Sequence, residues 1–91
     1  MEEKKDLNQY YDLLLINLIK TLELSAYISL GVKEDPIKKT KKVDIEQAKY
    51  NIDMLTMLKE KTKGNIPQEI EKYLKDLLLN LQLEFIKHSN K

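Results

Sequence analysis

Apolar residues recur along most of the chain at intervals of three and four positions, the spacing of one face of an α-helix. The pattern is interrupted at two places. The longer interruption, the linker 31–43, contains a glycine, a proline and five lysines, and the shorter one surrounds Gly64. The pattern predicts three helices, at about 7–30, 44–63 and 66–87. It favours a single all-α domain over residues 1–91, a three-helix bundle-like protomer with a long helix 1 and a tight hairpin of helices 2 and 3.

Residue types at the ends of these segments fit known capping patterns. Gly31 follows helix 1 and Gly64 follows helix 2, and glycine most readily takes the left-handed conformation just past a helix end. Asp44 precedes helix 2 with Gln47 three positions later, which predicts a capping box. Asn65 is the expected N-cap of helix 3. With this N-cap directly after Gly64, we expect a connection of only one or two residues between helices 2 and 3.

Each helix carries more apolar surface than one face holds. On helix 3, Leu79, Leu83 and Ile86 lie opposite the main apolar stripe and make a second, shorter face. Helix 1 is apolar on nearly all sides. One side of helix 1 holds five large apolar residues: Tyr11, Leu14, Leu15, Leu18 and Leu22. The other side holds four: Leu13, Ile16, Leu24 and Tyr27.

A protomer of three helices covers about one face of each, so the second faces predict a further layer of protein. Closed two-fold dimers are the most common soluble oligomers, and we therefore predict a helical homodimer. The self-association surface is assigned to one side of helix 1 and the outer face of helix 3. Its residues are Leu13, Ile16, Leu24, Tyr27, Leu79, Leu83 and Ile86.

Composition narrows the chemistry that the chain can perform. Its 91 residues include no cysteine and one histidine, which excludes disulfides and thiolate metal sites and leaves too few ligands for a zinc site. Sixteen lysines, with no arginine, nearly balance fifteen acidic residues. The net charge of +1 gives no overall field that would favour nucleic acid or an anionic membrane. We expect no cofactor and no metal.

The most apolar stretch, 13–30, does not predict a membrane span. Lys20 and Glu23 lie near its middle, where a charged side chain is costly in a bilayer. Residues 1–6 are of mixed charge and lack the basic character of a signal peptide. We therefore expect a cytoplasmic protein without a membrane partner.

One basic cluster lies in the linker and consists of Lys38, Lys39, Lys41 and Lys42. A solvated linker is the favoured interpretation, because four lysines without interleaved aromatic residues make a weak nucleic-acid site. The alternative is an RNA- or ribosome-associated accessory protein whose linker contacts phosphates.

No combination of residues predicts catalysis. Glu46, Asp53 and Glu60 share one face of helix 2, but Lys49 between them favours a hydrated, salt-bridged face. His88 lies near the C-terminus, where a surface imidazole next to the helix dipole is the expected interpretation. We predict that the protein is not an enzyme.

Helix 2 and its flanks resemble a known family. The residues run V-D-I-E-Q-A-K from Val43 and I-D-M-L-T-M-L-K-E-K-T-K-G-N from Ile52. They are similar to the pattern of a family of short bacterial proteins known as domain of unknown function number eighteen-forty-four. The segment S-A-Y-I-S-L-G at 25–31 and the leucines of helix 3 extend the resemblance over about 11–87, although Ser29 stands where the family commonly has histidine. The resemblance implies a small all-helical bacterial protein with no established activity.

These observations together predict a non-enzymatic, self-associating helical protein. We expect it to act as an interaction or accessory module. Its predicted partners are a second copy of itself and an unidentified protein.

Overall fold

A computed structural model describes residues 2–89 of the chain. Within them all regular secondary structure is helical. The three helices are α1 (Glu2–Ser29), α2 (Ile45–Thr62) and α3 (Gln68–Ser89). The predicted all-α fold with a long first helix and a hairpin of the last two is confirmed. Helix α1 begins at Glu2 rather than near residue 7, because the glutamates and lysines of this segment are good helix formers.

Helix α1 ends in the motif that Gly31 predicts. Gly31 has a φ of 75°, and its N–H donates to the carbonyl of Ile28 at 3.0 Å. The N–H of Val32 donates to the carbonyl of Tyr27 at 2.9 Å, which completes a Schellman motif. A Cβ at Gly31 would lie 2.9 Å from Cγ2 of Val43. Glycine is therefore required here both by the backbone conformation and by the returning linker.

Helix α2 begins at the predicted cap, but only half of the capping box forms. A side-chain oxygen of Asp44 accepts from the N–H of Gln47 at 3.1 Å. The N–H of Asp44 donates at 2.7 Å to the carbonyl of Ser29 instead of to the Gln47 side chain. The Gln47 amide donates to Asn51 at 3.4 Å. The start of α2 is thereby tied directly to the end of α1.

The connection between α2 and α3 is longer than expected. It comprises residues 63–67, and Gly64 takes the predicted left-handed conformation with a φ of 80°. The prediction that Asn65 is the N-cap of α3 is wrong, since its side-chain amide donates to the carbonyl of Lys63. The first helical hydrogen bonds of α3 are accepted by the carbonyl of Pro67. Proline suits this position because it has no N–H that would remain unpaired. Glu71, one turn into α3, accepts from the N–H of Gly64 at 2.9 Å and closes the turn.

The core lies along α2, which packs against both neighbours, while α1 and α3 touch less extensively. Twelve apolar residues are buried in it: Ile19, Leu22, Ala26, Leu30, Ala48, Ile52, Leu55, Ile70, Leu74, Leu77, Leu78 and Leu81. The three helices each contribute at least three of them. The main stripe of α3 is therefore the core face that its periodicity predicts.

The chain is extended for its length. Its radius of gyration is 15.0 Å, whereas a globular domain of this size has about 12 Å. Its accessible surface is 7066 Å², whereas a compact monomer of 10.8 kDa exposes about 5,500 Å². The protomer thus leaves about 1,500 Å² more surface open than a compact monomer of equal mass.

Candidate self-association surface

The outer face of α3 is open in the protomer, as its position opposite the core implies. Leu79, Leu83 and Ile86 are 59%, 58% and 55% exposed. Their spacing of four and three positions places them in one line along the C-terminal half of α3. This part of the predicted surface is available for contact with another chain.

The four residues assigned on α1 separate into two pairs. Leu13 and Leu24 are exposed. Ile16 and Tyr27 are half-buried and pack against the core of the same chain. The pKa of Tyr27 is raised above its usual range by burial and by the nearby carboxylates of Glu23 and Glu84. The two core-packed residues therefore contribute chiefly to the protomer.

A second line of exposed apolar residues was not assigned from the sequence. It consists of Leu7, Tyr11, Leu14 and Leu18, which we call the α1 stripe. The sequence places the last three on one side of helix 1 together with Leu15 and Leu22, whereas the predicted self-association surface lies on the other side. The structure buries Leu22 and partly buries Leu15, but it leaves the stripe at 44–55% exposure. The 4-3-4 spacing from Leu7 was the signal that could have identified it.

A buried polar cluster fixes α1 against α2. Asn51, which is 3% exposed, donates to Oγ of Ser25 at 2.9 Å and to Oγ of Ser29 at 3.4 Å. The Ser29 hydroxyl donates in turn to the carbonyl of Ser25 at 2.7 Å. The burial of Asn51 was not predicted from the sequence. The signal that could have predicted it is the position of its amide on the same helix face as the apolar residues Ala48, Ile52 and Leu55. The cluster specifies the register of the two helices, and its hydrogen bonds pair the buried Asn51 amide.

One polar contact joins α3 to α1. The Tyr73 hydroxyl donates to a carboxylate oxygen of Glu23. This hydrogen bond, together with partial burial, raises the pKa of Tyr73 to about 12. Tyr73 lies at the edge of the core with 39% exposure.

The linker lysines border a groove of mixed charge. The groove, of about 930 Å³, lies between the C-terminal half of α1, the linker and the start of α2. Lys38 and Lys42 line it together with the carboxylates of Asp35, Asp44 and Glu46. The neighbouring linker lysines, Lys39 and Lys41, are exposed. Because three acidic and two basic residues line the groove, its charge favours no anionic ligand in particular.

The Asp35 carboxylate shapes the linker itself. It accepts from the backbone N–H groups of Ile37 at 2.9 Å and of Lys38 at 3.2 Å. These hydrogen bonds hold the pKa of Asp35 below its usual range. The Asp35 carboxylate is thus engaged in forming a turn.

The acidic face of α2 is a solvated surface. Asp53 pairs with Lys49 at 2.8 Å, and both side chains are more than half exposed. His88 lies 3.5 Å from Glu84 on α3. Within residues 2–89 no group of three His, Cys, Asp or Glu side chains is placed to hold a metal ion. In the same part of the chain, no helix combines the length and the apolar character that crossing a bilayer needs.

Comparison with known proteins identifies one family. Its sequence pattern, described as Domain of unknown function (DUF1844), matches residues 12–87. No curated protein and no solved structure matches the chain. The match covers α2, the linker, most of α1 and all but the last two residues of α3. The resemblance seen in the residues around helix 2 is confirmed, and the chain belongs to the DUF1844 family.

Proposed function

We propose that this protein is a non-enzymatic helical module that associates with a second copy of itself through exposed apolar helix faces. The observation that carries the proposal is the open apolar surface of the protomer. Among residues 6–89, sixteen large hydrophobic residues are exposed, against twelve apolar residues in the core. Seven of them lie in two lines, the α1 stripe and the outer face of α3, and apolar patches of this kind are typical of protein interaction sites.

The magnitudes support an association with another chain. A standard protein interface removes about 800 Å² from each partner, which the surplus of about 1,500 Å² can supply. Burying a leucine that is half exposed contributes about 1 kcal/mol. The α1 stripe and the outer face of α3 together hold six aliphatic residues of this kind, in addition to Tyr11.

The side chains that carry polar chemistry support a structural function. Asn51, Ser25 and Ser29 satisfy one another between two helices, and Tyr73 with Glu23 joins α3 to α1. Each of these polar contacts holds the protomer together. The mixed charge of the linker groove gives the RNA alternative no particular support.

Sedimentation velocity over the micromolar range tests the proposal. We expect a species of twice the 10.8 kDa chain mass, whose population falls on dilution. A single species of 10.8 kDa at all of these concentrations would overturn the proposal.

A further inference from the structure

The α1 stripe has the geometry of a helix-pairing seam. Leu7, Tyr11, Leu14 and Leu18 follow one another at spacings of four, three and four, as the apolar positions of a coiled coil do. All four are about half exposed, and Tyr10 and Leu13 beside them are exposed as well. At 1.5 Å per residue the line is about 16 Å long.

The protomer covers the face next to the stripe and leaves the stripe itself open. A shallow groove is lined by Asn8, Asp12 and Leu15 of α1 together with the turn 64–67. Tyr11 also lines this groove and is still 55% exposed. The hairpin of α2 and α3 therefore ends beside the stripe without closing over it.

We infer that two copies pair antiparallel along the α1 stripe, an inference that rests on the proposed self-association. The 4-3-4 spacing reads the same in both directions. A two-fold axis between Asp12 and Leu13 then sets Leu7 against Leu18 of the partner subunit, and Tyr11 against the partner's Leu14.

The position of α2 determines the direction of pairing. Ser25 and Ser29, seven and eleven residues after Leu18, continue the line of the stripe, and both accept hydrogen bonds from Asn51 of α2. In a parallel pair the two α2 helices would therefore meet on the continuation of the seam. Antiparallel pairing places the two hairpins at opposite ends, where they do not obstruct each other.

The α1 stripe offers the second copy more than the outer face of α3 does. The α3 line of Leu79, Leu83 and Ile86 has three members, and toward its start it runs into Lys72 and Asp76. The α1 stripe has four members, and toward its own start it reaches a charged residue, Lys4, one turn before Leu7. With four apolar members against three, the α1 stripe removes more apolar surface from water on pairing and is the better site for a second copy.

Two matched charge substitutions test which surface is used. Leu14→Glu places a carboxylate in the seam, and Leu83→Glu places one on the outer face of α3. Both positions are exposed in the protomer, so each variant keeps the helical circular dichroism of the parent. We expect Leu14→Glu to raise the dissociation constant by about a hundredfold or more, and Leu83→Glu to change it by less than about threefold.

The outcomes separate this inference from the proposed function. A dimeric parent with a dimeric Leu14→Glu variant and a monomeric Leu83→Glu variant would overturn the α1 pairing and leave self-association intact. A parent that is monomeric at all concentrations would overturn both.

Introduced thiols test the direction of pairing, since the natural chain has no cysteine. In the double variant Leu7→Cys with Leu18→Cys, antiparallel pairing places the thiol at position 7 of one copy opposite the thiol at position 18 of the other. We expect disulfide-linked dimers under mild oxidation, because the Cα atoms come within the reach of about 7 Å. Leu18→Cys alone stays uncrosslinked, since its two copies lie about 16 Å apart along the axis. Efficient crosslinking of Leu18→Cys alone would show parallel pairing and overturn the antiparallel arrangement.

Discussion

Replacing Asn51 with alanine tests whether the buried polar cluster holds α1 to α2. The Asn51 side chain donates to Ser25 at 2.9 Å and to Ser29 at 3.4 Å, and the residue is 3% exposed. A hydrogen bond contributes a net of about 0.5–1.5 kcal/mol, and the longer of the two lies at the weak end. Truncation also leaves a small cavity and an unpaired Ser25 hydroxyl. We expect the free energy of unfolding to fall by about 2 kcal/mol, which lowers Tm by roughly 10 °C for a chain of this length.

Thermal and urea unfolding, followed by far-ultraviolet circular dichroism, measure this loss. Parent and variant are compared at one protein concentration, because the stability of a self-associating protein depends on concentration. Asn80→Ala on the exposed side of α3 is the matched control, and it changes the stability by less than about 0.5 kcal/mol. If Asn51→Ala is no more destabilising than Asn80→Ala, the cluster does not tie the helices together and the reasoning is refuted.

Two further perturbations address the turns and the contact between α1 and α3. Gly31→Ala should lower the urea midpoint more than Gly64→Ala. Both glycines have positive φ, but only at Gly31 would the new Cβ meet a neighbour, Val43. Equal urea midpoints of the two variants would contradict this. The pKa of Tyr73 is about 12 in the fold, against 10.0 unperturbed. The protonated hydroxyl therefore stabilises the folded protein below pH 10, and this contribution is lost as the pH rises from 10 to 12. Tyr73→Phe should remove that part of the alkaline loss of stability, and an unchanged profile from pH 9 to 12 would show that the hydrogen bond to Glu23 contributes nothing.

Features that depend on a few neighbouring residues could be predicted from the sequence. The left-handed glycines at 31 and 64 and the cap at Asp44 are decided within one helical turn, and all three occur. The outer face of α3 could be predicted because that helix has one strong core stripe. A line opposite such a stripe lies away from the core in any packing.

The division of α1 could not be predicted, and the reason is physical. When a helix is apolar on nearly all sides, its sequence pattern does not distinguish the side that packs against α2. The choice is made by contacts between distant residues, such as Asn51 with Ser25, 26 positions apart. This choice draws Ile16 and Tyr27 toward the core and leaves Tyr11, Leu14 and Leu18 outside.

The start of α3 shows a local competition that the sequence left undecided. Asn65 has the residue type of an N-cap, but the N–H of Gly64 is already bonded to Glu71 across the turn. The first helical hydrogen bonds of α3 are accepted two residues further along, by the carbonyl of Pro67. A favourable side-chain type therefore did not suffice to set the helix boundary.

The exposure of the α1 stripe follows from helix length as well as from side-chain packing. With 28 residues against 18, α1 is about 15 Å longer than α2. Because the N–H of Asp44 is bonded to the carbonyl of Ser29, the two helices are aligned at that end and the whole difference falls at the other. Leu7 and Tyr11 lie at or beyond the end of α2, so no rotation of side chains within the protomer brings α2 over them. Cover for this part of the stripe has to come from residues other than those of α2, and a second α1 supplies apolar residues at the same spacing.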